Sequence, residues 1–98
     1  MSKREREVEE LQQNITTKRQ CYEEERDYYN KCRAEFNGIF VELEMEVNSG
    51  GYDSRKRNNL IMRLADKQKE CDIWMNRIEY KLEKIDDLEI EVTKLKSN

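Results

Sequence analysis

Apolar side chains return every three to four positions through two long stretches of this chain, separated by one polar, glycine-containing break. That spacing lines one face of a helix. Written as heptads, the first stretch places Val8, Ile15, Tyr22, Tyr29, Phe36 and Leu43 at a, and Leu11, Lys18, Glu25, Cys32, Ile39 and Glu46 at d. The second places Arg57, Leu64, Cys71, Ile78, Ile85 and Val92 at a, and Leu60, Lys67, Trp74, Lys81, Leu88 and Leu95 at d. A seam sustained this long in both halves predicts two extended helices paired as a coiled coil.

The break reads Asn48-Ser49-Gly50-Gly51-Tyr52-Asp53-Ser54: paired glycines permit positive φ, and Asp or Ser can cap the helix that follows. Ser2-Lys3-Arg4-Glu5 has the form of a capping box, and Lys94 and Lys96 suit the negative end of a helix dipole. These signals predict one domain over residues 1–98, with a helix over about 3–47, a turn at 48–53 and a helix over about 54–96. The fold class expected is all-α, an antiparallel two-helix coiled-coil hairpin, completed into a bundle by a partner or a second copy.

In an antiparallel pair each a position meets a d position of the other helix. The register in which facing numbers sum to 103 sets Val8 with Leu95, Leu11 with Val92, Ile15 with Leu88, Tyr29 with Trp74, Cys32 with Cys71, Ile39 with Leu64 and Leu43 with Leu60. Next to the turn it opposes Glu46 and Arg57. The other polar seam residues, Lys18, Glu25, Lys67 and Lys81, face Ile85, Ile78, Phe36 and Tyr22, along which their aliphatic stems can lie while the charged heads reach water.

Composition narrows the function. Charged residues make up 42% of the chain against 36% apolar, so a thin helical object accounts for it better than a globule with a deep core. The net charge is −3, with 19 basic and 22 acidic residues intermixed, which offers no basic face to nucleic acid. No apolar run approaches a membrane span and the first ten residues are charged throughout, so a cytoplasmic protein is expected. There is no histidine, no phosphate-cradling glycine loop and no nucleophile set beside a base. The expectation is therefore no enzyme activity, no catalytic or metal residues, no cofactor and no small-molecule substrate.

The three cysteines do not have the spacing of a metal motif or a disulfide framework. Cys32 and Cys71 share a layer, which is compatible with a disulfide staple or with packed thiols, while Cys21 sits at a flanking g position.

With the seam filled, apolar residues remain at e: Phe40 and Val47 on the first helix, and Ile61, Met75 and Leu82 on the second. The e positions of an antiparallel pair lie on one side, so these five form a second apolar stripe, densest beside the turn. The g side carries Asn14, Glu35, Glu42, Arg63, Arg77, Lys84 and Glu91, relieved by Cys21 and Tyr28. The stripe either thickens the hairpin's own seam or binds another chain, and the thinness of a lone helix pair favours binding. Gly38 sits within the first helix, where it implies close approach of a neighbouring helix or a bend.

Two long helices around a Gly-containing turn at Asn48 to Asp53, over about one hundred residues, resemble the helical hairpins of bacterial type VII (Esx/WXG-like) secretion. The aromatic pair Tyr28-Tyr29, then Phe36-x-x-Ile39-Phe40-x-x-Leu43, a short turn and a Glu/Lys-rich helix look like the accessory hairpins encoded beside LXG toxins. The turn has Ser49-Gly50-Gly51 in place of Trp-x-Gly, and Tyr80 is followed four residues later by Lys84 instead of the acid of an export motif. The resemblance implies an accessory or targeting chaperone without its own export signal, which binds the helical N-terminal domain of a toxin, or a sister hairpin, and is escorted to the secretion apparatus. The alternative is a self-assembling coiled-coil protein of the phage scaffold or spacer type.

Overall fold

A computed structural model describes residues 2–50 and 53–97. They form two helices, α1 (Lys3–Asn48) and α2 (Ser54–Ser97), in an all-α hairpin. Each helix ends one residue beyond the expected boundary. Gly51 and Tyr52 of the expected turn, and the terminal Met1 and Asn98, lie outside the described residues.

The helix ends form for the local reasons read from the sequence. Ser2 Oγ accepts the Glu5 N–H at 3.2 Å and the Ser2 carbonyl accepts the Arg6 N–H at 3.1 Å, so Ser2 caps α1. At the other end Ser49 N–H reaches the Met45 carbonyl at 3.0 Å, and Gly50 takes φ = 72°, the left-handed conformation in which a side chain is strained. Asp53 starts α2: its Oδ1 accepts the Lys56 N–H at 3.1 Å and its carbonyl accepts the Arg57 N–H at 3.1 Å.

The helix pair divides into two compact units. The terminal unit takes residues up to Arg26 and from Asn76; the turn unit takes Asp27–Met75. In the terminal unit Ile15, Ile85 and Val92 form a buried cluster, with Val8, Leu11, Tyr22 and Leu88 packed against it. Every one of these is an a or d residue of the heptad assignment. Ile78 is buried in the same unit. In the turn unit the buried residues are Cys32, Ile39, Leu60 and Cys71, again all from the seam.

The ion pairs show that the helices run antiparallel within each unit, because α2 numbers fall as α1 numbers rise. Arg19 pairs with Glu89 and Glu25 with Lys81 in the terminal unit. Glu35 pairs with Lys67, Glu42 with Arg63 and Glu46 with Lys56 in the turn unit. They also fix the sides of the seam. Arg19 and Glu89 are both e residues, and Glu42 and Arg63 are both g residues, as an antiparallel coiled coil requires.

Three details depart from the simple layer picture. Trp74 stacks on Tyr28, a g residue, with centroids 5.2 Å apart and planes 16° from parallel, where the register opposes it to Tyr29. The broad indole covers more area by lying flat along a neighbouring ring than by meeting a residue end-on across the seam. Lys67 leaves the layer to contact Glu35 at 2.6 Å and Glu70 at 2.9 Å, and Lys81 reaches Glu25 at 3.2 Å. A half-buried ammonium gains more from a carboxylate within reach than from water alone. Gly38, finally, has no helix against it: an added Cβ would meet nothing within 4 Å.

Candidate functional site

The site expected from the sequence is the e stripe, and four of its five residues fall in the turn unit. Phe40 is 45% exposed, Val47 51% and Ile61 51%, so these three stand largely outside the seam, while Met75 is half-buried. Leu82 belongs to the terminal unit, where it is exposed.

The Glu42–Arg63 pair holds the g side of the turn unit, and the e residues therefore share the other side. Their side is wider than the stripe alone. Val41 and Met62, at f, are also exposed, beyond the b positions on the outer face of each helix. Phe40 and Val47 on α1 and Ile61 on α2 are the exposed apolar residues of the e side, and Val41 and Met62 follow Phe40 and Ile61 in the chain on the outer faces of the two helices. Sequence reasoning passed over Val41 and Met62 because it followed the stripe next to the seam; the signal that finds them is a large apolar residue at a position the heptad sends to solvent. Met45, Ile73, Tyr80 and Ile90 carry the same signal and are likewise exposed.

The g side of the turn unit has a different chemistry. An open groove of about 560 Å³ is lined by Glu35, Gly38, Ile39, Glu42, Arg63, Asp66, Lys67 and Glu70. Its charges are largely spent on one another. The Lys67 ammonium, hydrogen-bonded to Glu35 and Glu70, is held protonated above the usual lysine range, and its hydrogen bond and charge draw the Glu35 carboxyl below the usual carboxylate range. The groove is shallow and built from exposed ion pairs, which bind one another weakly in water and leave no apolar depth for a ligand.

Cys32 and Cys71 are free thiols, 3% and 2% exposed. Burial first, then the hydrogen bond to Cys71, pushes the Cys32 thiol up to about 12, so at neutral pH it is a protonated packing group. Cys21 is free and half-buried.

Among the described residues no three His, Cys, Asp or Glu side chains gather as a metal site requires, and no helix is long and apolar enough to cross a membrane. Comparison with family models, with curated proteins and with solved structures finds no match for the chain.

Proposed function

We propose that this chain is a non-enzymatic, cytoplasmic protein-binding module, an adaptor or targeting chaperone that joins helices of another polypeptide into a bundle through the e-side surface of its helix pair. The observation that carries this reading is the exposure of Phe40, Val47 and Ile61 on a pair of helices whose shared seam already buries Ile39, Leu60 and the two thiols. Residues left out of a filled seam at this cost in exposed apolar area are best explained by a surface that another chain covers. Met75 and Leu82 extend the apolar character of the e positions of α2. The resemblance to accessory hairpins encoded beside LXG toxins supplies the finer proposal, that the covered chain is a helical toxin N-terminal domain escorted for type VII secretion.

Titration calorimetry against the helical N-terminal domain of an LXG toxin tests it. Binding should be micromolar or tighter and should weaken at least about tenfold in Phe40→Glu or Ile61→Lys, with helical circular dichroism kept. No heat of binding would remove the toxin from the proposal. Collapse of the helical signal in both variants would remove the surface itself, by showing these residues to be core.

A further inference from the structure

Beside the turn the two helices carry charges of opposite sign. From Val41 to Asn48, α1 carries Glu42, Glu44 and Glu46 and no base; from Ser54 to Arg63, α2 carries Arg55, Lys56, Arg57 and Arg63 and no acid. One helix end of the unit is wholly acidic and the facing end wholly basic. Within the hairpin, Glu42 is paired with Arg63 and Glu46 with Lys56. Glu44, at b, and Arg55, at f, lie on the e side of their helices beside the apolar e residues, and both are exposed with no ion pair among the described residues.

Such a surface is complementary to itself. Two copies can lay these faces together with two-fold symmetry in two ways. With the axis across the helices, α1 lies on α1 and α2 on α2, which brings Glu44 near its own copy and Arg55 near its own. With the axis along the helices, α1 of each copy lies over α2 of the other, which brings Glu44 of each copy near Arg55 of the other. The Glu42–Arg63 pair shows which residues are level, and it puts Phe40 and Val41 within about one helical turn of the second copy's Ile61 and Met62. Both arrangements bury apolar surface; only the second also matches charge, and like charges brought together across an interface strongly disfavour the first.

We propose that two copies of this chain pair through the e and f positions of the turn unit, with α1 of each over α2 of the other. The proposal rests on the reading of this face as an association surface, and it names a second copy as the occupant when no other polypeptide is bound, the two competing for the same residues. Tyr80, Leu82 and Ile90 of the terminal unit take no part and stay open to a further chain.

Light scattering on the full chain over a wide concentration range provides the test, with circular dichroism on every variant. The wild-type chain should show twice its 12.0 kDa mass and dissociate on dilution. Phe40→Glu should be monomeric and helical. Glu44→Arg or Arg55→Glu alone should raise the dissociation constant about tenfold, and an equal mixture of the two should regain most of the loss, because each supplies the opposite charge to the other across the interface. An unchanged constant for Glu44→Arg would overturn the arrangement. A helical wild-type monomer at all concentrations would overturn the second copy while leaving the face open to a different protein; loss of helicity in Phe40→Glu and also in Met62→Glu would overturn the association surface and this proposal together.

Discussion

Gly38 should be replaceable by alanine with a gain in stability. A glycine inside a helix costs about 1 kcal/mol relative to alanine, through the extra freedom it surrenders on folding. That cost is worth keeping only if something occupies the space a methyl group would take or if the backbone needs a conformation alanine resists. Neither holds at Gly38. It lies inside α1, its φ is not positive, since among the described residues only Gly50, beyond the helix, has a positive φ, and an added Cβ meets nothing within 4 Å. The full propensity difference should therefore appear, about 1 kcal/mol, or a rise in melting temperature of about 4–8 °C for a domain of this size.

Trp74 is the single tryptophan and stacks on Tyr28 in the same unit as Gly38, so its fluorescence reports the unfolding that matters. Urea titrations of wild type and Gly38→Ala, followed by fluorescence and by circular dichroism at the same protein concentration, should show a higher midpoint at an unchanged slope. Gly50→Ala is the natural control, because φ = 72° strains any side chain, and it should cost about 1 kcal/mol. If Gly38→Ala is neutral or destabilising while Gly50→Ala behaves as stated, the propensity argument is refuted and Gly38 serves a bend or a contact of the assembled protein.

Three further outcomes follow from the structure. Asp53→Ala removes the acceptor of the Lys56 N–H and should cost about 1 kcal/mol in the same urea assay, with Asp53→Asn recovering most of it. Because burial raises the Cys32 thiol to about 12, the unfolded chain gives up this proton first; its contribution to stability is complete below about pH 9 and is lost as pH rises towards 12, a fall that Cys32→Ala should lack. Glu25 keeps one carboxylate oxygen buried without a hydrogen bond while the other takes Lys81, so Lys81→Met should cost about 1–3 kcal/mol, whereas Glu25→Leu with Lys81→Leu should be near neutral in a double-mutant cycle.

The helices, their limits and their seam were legible because each rests on local chemistry. Ser2 and Asp53 announce helix starts by residue type, Gly50 announces a stop, and the a and d positions contain every residue that the structure buries. The antiparallel sense follows from a turn too short for anything else. What the heptad left out was the reach of long side chains. It opposes Lys67 to Phe36 and Lys81 to Tyr22, but a lysine ammonium lies several bonds from its Cβ and finds the best carboxylate within that radius. The same limit applies to Trp74, whose ring is wide enough to cross from the seam to Tyr28. Of the candidate surface, Phe40, Val47 and Ile61 were found because e borders the seam; Val41 and Met62 were missed because apolar residues at f have no place in a two-helix pattern.

That omission has a physical consequence for how the charges divide. A charge at d or g is within reach of the other helix of its own hairpin, and Glu25, Glu42, Glu46, Lys67 and Lys81 all find partners there. Pairs of this kind, half in water, add little net stability, but they penalise a shift of one helix along the other, since a slip by one heptad leaves most of them without an opposite charge. They set the stagger of the hairpin. A charge at b or f cannot reach across its own seam, so Glu44 and Arg55 contribute nothing to that stagger and are free to act between molecules. Their placement beside the apolar e residues, acid on α1 and base on α2, gives that surface a direction which apolar residues alone would lack. Hydrophobic area then supplies the tendency to associate, and the few charges outside the seam decide how the associating helices are arranged.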